Sequence, residues 1–285
     1  MTMELAYRQL AKSLETYYDP REAVAIANLV MEKITGLKRI DRLLESHRVL
    51  SNAETEKLAF FSSQLLQGKP LQYVLGEAWF AHLPFYVNQW VLIPRPETEE
   101  LVEWIRLENS HTMGLRILDI GTGSGCIPIA LKKQMPGASI ISIDKSKEAL
   151  EVATKNALDL KAVIEIKSLD FLDQEQWEQL GEVDLIVSNP PYIMESEKAS
   201  MESHVLDHEP NMALFVPDQD PLLFYRNIAL FGQTHLSING TVYLEINQAL
   251  GIQVCALFQS LGYDTALKQD MQGNDRMVKA QLLHN

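Results

Sequence analysis

Apolar positions along the chain change period twice. Up to about residue 70 they recur at helical spacing, with Leu5, Ala6, Leu10 and Leu14 on one 3.6-residue stripe. Pro20 opens a second helix rich in Ala, Ile, Leu and Val, which ends near Gly36. Ser51-Asn52-Ala53-Glu54 is a capping-box pattern ahead of Leu58, Phe60, Phe61, Leu65 and Leu66, and Gly68-Lys69-Pro70 stops that helix. The pattern predicts a bundle of four or five helices over 1–70, with its aromatics in the core. Over 71–94, Tyr73, Val74, Trp79, Phe80, Phe85, Tyr86, Val87, Trp90, Val91 and Ile93 mark short strands. They predict a β-hairpin linker over 71–95 bridging two domains. Pro96 then suits the first turn of a helix, where Glu97, Glu99 and Glu100 complement the helix dipole.

From Leu115 onward strands alternate with helices. Strands are predicted at 115–120, 139–144, 163–168, 183–188 and 240–246, and helices near 126–134, 146–159, 221–236 and 248–260. That alternation predicts an α/β domain over 96–285, with a mostly parallel sheet covered on both faces. Two further strands, 263–269 and 275–283, flank Gly273-Asn274 and read as a hairpin, which adds an antiparallel C-terminal strand.

A length of 285 residues suits two domains, and 46% hydrophobic with 22% charged residues is ordinary for a globular chain. The net charge of -13 argues against a sequence-blind nucleic-acid binder, which needs a basic face. Cys126 and Cys255 are too few and too far apart for a disulfide framework or a zinc site, and read as small core residues. The N-terminus lacks a basic segment followed by an apolar one, and no apolar run approaches a membrane span. The expectation is a cytoplasmic protein, with no membrane and no direct nucleic-acid partner.

The densest chemical signal is Val183-Asp-Leu-Ile-Val-Ser-Asn-Pro-Pro-Tyr192. A buried strand runs into Asn189-Pro190-Pro191-Tyr192, two of whose residues have a fixed φ and no N–H. Pro190 also holds Asn189 extended. A stiff loop at a strand's C-terminal end lies where open α/β sheets bind ligands. It offers a side-chain amide, the Pro190 carbonyl and an aromatic ring, a set able to hold a flat, amide-like nitrogen. The bland alternative is a rigid turn capping a core strand. Upstream, Arg116 to Ile120 leads into Gly121-Thr122-Gly123-Ser124-Gly125 and a helix, letting backbone approach a ligand at a helix N-terminus. The spacing is neither that of a dinucleotide fingerprint nor that of a P-loop. Asp144 closes the next strand, placed either to accept from ribose hydroxyls or to cap the following helix. Asp170-Phe171, after the third strand, offers an acid and a flat ring to an adenine. With Asp119, these strand ends form the adenosyl-site pattern of S-adenosylmethionine-dependent methyltransferases.

These residues resemble the release-factor glutamine methyltransferase (HemK/PrmC) family of class I methyltransferases over nearly the whole chain. The resemblance rests on Gln72 to Gly76, Phe80 and Phe85, Val91 to Glu99, Asp119 to Gly125, Ile186 to Ile193, Glu209-Pro210 with Ala213-Leu214, and Asp275-Arg276. The Asn-Pro-Pro-Tyr element is shared with nucleic-acid adenine and guanine methyltransferases, whereas Ile93-Pro-Arg-Pro-Glu-Thr-Glu99 beside a helical N-terminal domain is more specific. The resemblance implies a seven-stranded Rossmann-like methyltransferase domain, behind a helical domain that recognises the substrate. It implies methylation of the Gly-Gly-Gln glutamine in class I peptide chain release factors, modulating translation termination. Gly121, Thr122, Gly123, Ser124, Gly125, Asp144, Phe171 and Asn189 would bind S-adenosylmethionine. Asn189, Pro190, Pro191 and Tyr192 would hold the glutamine, and the enzyme would be a monomer without a metal.

Chemistry supports that assignment. An amide nitrogen is a poor nucleophile, so two acceptors that orient its N–H groups matter more than a strong base, and no His or Lys flanks the motif. The segment Phe215 to Leu222 departs from the family pattern and receives no role; Pro128 is tolerated because it lies near a helix start. Arg95 either pairs with an acid or guides substrate, and Glu245 is either on the catalytic side or a structural hydrogen-bonding group. His204 and His208, four apart, read as surface residues because the glutamate of a His-Glu-x-x-His site is missing. The competing readings are a nucleobase methyltransferase, disfavoured by the acidic charge, and a cofactor-binding regulatory module, which would not need an amide clamp.

Overall fold

The structure, a computed structural model, describes residues 1–200 and 203–283. Two compact units emerge, one of Met1–Glu77 with Ser203–His208, the other of Ala78–Glu202 with Glu209–Asn285. The first contains α1 (Met3–Leu14), α2 (Pro20–Thr35), α3 (Arg39–Leu44), α4 (Asn52–Leu65) and α5 (Leu71–Leu75). Asp19 caps α2 by accepting from the Arg21 and Glu22 N–H groups, and Pro20 takes the first helical position. At α4 the capping box is complete: Ser51 Oγ accepts from Glu54 N, and Ser51 N donates to Glu54 Oε2. Its core gathers Leu10, Leu14, Ile26, Val30, Met31, Leu58 and Leu65. Leu5 and Phe60, which the periodicity places inside, lie on the surface.

The second unit starts with a hairpin, β1 (Ala78–Phe80) and β2 (Leu83–Phe85), turned by Ala81 and His82, both at positive φ. Phe80 and Phe85 carry it into the core. There follow α6 (Pro96–Glu108), β3 (Arg116–Ile120), α7 (Cys126–Gln134), β4 (Ser139–Asp144), α8 (Lys147–Asp159), β5 (Glu165–Ser168) and β6 (Val183–Ser188). Then come β7 (Ile193–Met194), α9 (Ser203–His208), which clusters with the helical unit, α10 (Asn211–Leu214) and β8 (Phe215–Val216). The chain ends with α11 (Leu223–His235), β9 (Leu236–Glu245), α12 (Gly251–Ser260), β10 (Tyr263–Gln269) and β11 (Asp275–Leu282).

Seven strands form one sheet in the order β10-β11-β9-β6-β3-β4-β5. Six run parallel; β11 is antiparallel to both neighbours, β9 and β10. Alternation along each strand feeds both faces. Leu118, Ile120, Ile186, Val242 and Leu244 pack under α11 and α12, while Ile117, Leu185, Val187 and Tyr243 pack under α6 and α7. The chain leaves β3 toward β4 on one side and returns to β6 on the other, so the strand order reverses between β3 and β6. A crevice opens at the carboxyl ends of strands at such a point. The glycine segment follows β3 and the Asn-Pro-Pro-Tyr segment follows β6. Among the described residues no helix is long and apolar enough to cross a membrane.

Candidate active site

The β3 and β6 ends are locked in register, Ile120 opposite Ser188, and Ser188 Oγ donates to Ile120 O at 2.7 Å. Gly121 and Asn189 therefore leave the sheet side by side. Gly121, Gly123 and Gly125 all have positive φ, a region that costs other residues strain. A Cβ on Gly121 or Gly123 would meet no heavy atom within 4 Å, so the backbone there faces open space. Gly125 serves packing instead: a Cβ would come within 3.0 Å of Ile129 Cδ1 and 3.2 Å of Ala153 Cβ, which brings α7 against α8. Asn156 stitches the loop from beneath, donating to Ser124 O and Tyr86 O and accepting from Tyr86 N.

Asp144 accepts from Gly123 N and Ser146 N, both at 2.9 Å, one on each oxygen. The cap of α8 is Ser146, whose side chain accepts from Ala149 N. Asp144 is thus a loop-bracing carboxylate with a lone pair left on each oxygen, suited to a vicinal diol. Behind it Ser142 Oγ donates to Asp119 Oδ2 at 2.6 Å and meets Thr122 Oγ1. Asp119 is fully buried and its Oδ1 has no hydrogen-bond partner among the described residues. Burial outweighs the hydroxyls and pushes its carboxyl up to about 7.

Phe171 lies where its apolar character dictates, 5% exposed in the core, stacked on Trp177 at 5.5 Å and edge-on to Phe231. Trp177 covers one face of the flat surface that the sequence offers to an adenine, and Trp177 Nε1 donates to Phe171 O. Asp170 pairs with Lys145 at 2.6 Å. Around an adenosyl group, the residues present fit: open glycine backbone at a helix N-terminus, a carboxylate with spare acceptors, and an apolar wall.

At the end of β6, Asn189 Nδ2 donates to Thr98 Oγ1 at 3.2 Å, and Thr98 Oγ1 donates to Glu245 Oε2 at 2.6 Å. Tyr192 OH donates to the other carboxylate oxygen at 3.1 Å, and the Tyr192 carbonyl accepts from Asn247 Nδ2. Asn189 Oδ1 accepts from no group among the described residues. Burial is the main cause that lifts the Glu245 carboxyl above the usual carboxylate range, and the Thr98 and Tyr192 hydroxyls oppose it. The Tyr192 hydroxyl is pushed far up by burial and by Glu245. Pro190 is buried, Pro191 partly so.

Arg95 pairs with Glu209 at 2.5 Å, and the other Glu209 oxygen accepts from Ile93 N. Of the two roles weighed for Arg95, the structure shows the ion pair. The segment 215–222 is braced by Asp218, which accepts from Ser196, and by Asp220, which pairs with Arg226. Cys126 and Cys255 are partly buried free thiols. His204 has a side chain outside the described residues; among the described residues no group of His, Cys, Asp and Glu could hold a metal ion. Thr98 had no signal of its own in the sequence, since its partners lie 91 and 147 residues away.

Two family models match: the methyltransferase small domain over residues 98–210 and the PrmC N-terminal domain over residues 6–76. The chain is 46% identical to a release factor glutamine methyltransferase of Flavobacterium psychrophilum, over 95% of this chain and 96% of that one. It is 41% identical to one of Bacteroides thetaiotaomicron, over 95% and 97%. The catalytic domain of hMettl16, solved in complex with an RNA hairpin, shares the fold at a TM-score of 0.56 and 15% identity, covering 82% of this chain and 83% of that one. With sequence identity of this level along almost its entire length, the chain belongs to the release factor glutamine methyltransferase family.

Proposed function

We propose that the protein transfers a methyl group from S-adenosylmethionine to the side-chain amide nitrogen of a glutamine, the one in the Gly-Gly-Gln motif of class I peptide chain release factors. The observation that carries this reading is the open Oδ1 of Asn189, held beside the glycine loop on a rigid β6 end. S-adenosylmethionine supplies an electrophilic methyl group when bound. Gly121 to Gly125 would hold its backbone-facing side, Asp144 the ribose, and the Phe171 loop the adenine edge.

Asn189 Oδ1 and the Pro190 carbonyl would each accept one N–H of the substrate amide. Both hydrogens then point at protein, and the nitrogen lone pair turns toward the crevice. The stiffness of Pro190-Pro191 keeps those acceptors in place without reorganisation during reaction. Tyr192, its hydroxyl tied to Glu245, would present its ring to the amide plane. Orientation of this kind can contribute on the order of 7–11 kcal/mol to a barrier. The nitrogen loses its proton readily once methylated, so no base need act first. The helical unit would recognise the release factor; the expected linker over 71–95 divides between α5 of that unit and the hairpin that opens the methyltransferase unit.

The test is transfer of a labelled methyl group to a purified class I release factor and to a variant with the motif glutamine replaced by alanine. Label on the first alone supports the reading; equal label on both contradicts it.

A further inference from the structure

Glu245 sits at the end of β9, 1% exposed, and among the described residues no Lys or Arg is in hydrogen-bonding contact with it. Its nearest partners are two hydroxyls, those of Thr98 and Tyr192. An ionised carboxylate can only accept, so both hydroxyls must donate to it. Thr98 has one hydroxyl proton. Once that proton points at Glu245, the Thr98 oxygen can only accept from Asn189, which must present its NH2 side. The chain of donors runs in one direction, Asn189 to Thr98 to Glu245, and leaves the Asn189 oxygen facing away.

We propose that Glu245 is a positioning residue whose carboxylate, acting through Thr98, sets which end of the Asn189 amide faces the substrate. This rests on the function proposed above, because the substrate N–H groups need an acceptor and would clash with an NH2 group. An amide has nearly equal shape either way round, so packing alone does not choose its orientation. A protonated carboxyl or a neutral amide at position 245 can donate to Thr98. The hydroxyl is then free to donate to Asn189 Oδ1, and the clamp loses its acceptor.

A pH dependence follows. Burial favours the neutral carboxyl, whereas Thr98, Tyr192 and the positive charge of Arg276 favour the carboxylate; Glu97 opposes it. Among the described residues, Tyr225, which donates to the Glu245 backbone carbonyl, and Cys126 are further titratable groups beside it. Because the carboxyl titrates above its ordinary range, turnover should fall as pH drops through its raised pKa.

The experiment is methyl transfer by the full chain on a release factor substrate that the unaltered protein labels. Glu245→Gln is expected to lower kcat by on the order of 10–100-fold, less than the ~100–1,000-fold of losing a direct transition-state partner. Binding of S-adenosylhomocysteine by calorimetry should stay within about twofold. Thr98→Val should lose a similar factor, Thr98→Ser should recover most of it, and Glu245→Gln with Thr98→Val should lose no more than either alone. The acidic limb of the kcat profile should vanish in Glu245→Gln. Losses that multiply in the double variant, no rescue by serine, or an acidic limb that persists would each overturn the proposal. Failure of the unaltered protein to label the glutamine would instead count against the proposed function.

Discussion

Asn189 and Asp119 are two buried-edge polar residues with opposite prospects. Asn189 has one end of its amide spent on Thr98 and the other open. Asn189→Ala removes the open end, so kcat should fall by on the order of 100-fold, more than affinity for S-adenosylhomocysteine falls. Near-normal single-turnover transfer would contradict the clamp. Asp119 has no oppositely charged partner among the described residues, and its carboxyl is raised from 3.8 to about 7 by burial. The folded state therefore binds a proton more tightly than the unfolded chain does. That contribution is fully present below the unfolded value and is lost as pH rises through the folded one. Thermal unfolding of Asp119→Asn should show its gain over the unaltered protein growing between about pH 4 and 7; parallel curves would contradict it. The roles of single residues were only partly legible. Asn189, Asp144 and the glycines announce themselves by motif. Thr98 and Glu245 meet only because α6 packs on β9, which no local pattern records.

At the scale of elements, buried strands were the most legible. β4 and β6 fall on the predicted residues because an apolar run bounded by turn residues has few other solutions. β9 starts at Leu236, four residues before the predicted 240, since Asn239 at positive φ and Gly240 interrupt the apolar run while Leu236 still pairs with Val183. β7 and β8, two residues each, carry too little pattern to find. In the helical unit the stripe of α1 was right in period, but it included Leu5, which is 48% exposed. The contact of α7 with α8 depends on Gly125 at φ 79, under Ile129 and Ala153. Gly125→Ala should cost about 1–3 kcal/mol through strain and overpacking. Denaturant unfolding measures it, and an unchanged midpoint would remove the packing role given to that glycine.

For the molecule as a whole, the seven-stranded sheet with its antiparallel β11 could be read from alternation and the final hairpin. The strand order could not, because periodicity says that a strand is buried without saying beside which neighbour. That order matters, since it makes β3 and β6 adjacent and sets two motifs lying 64 residues apart, from Gly125 to Asn189, at neighbouring strand ends. The family assignment comes from sequence identity along nearly the whole chain, and the crevice supplies its chemical rationale. A methyl group on one glutamine side-chain nitrogen can be located by fragmentation mass spectrometry of the release factor after reaction. A single added methyl is expected, on the side chain of the Gly-Gly-Gln glutamine. A methyl group on a lysine, a backbone nitrogen or any other glutamine, with that one unmodified, would contradict it.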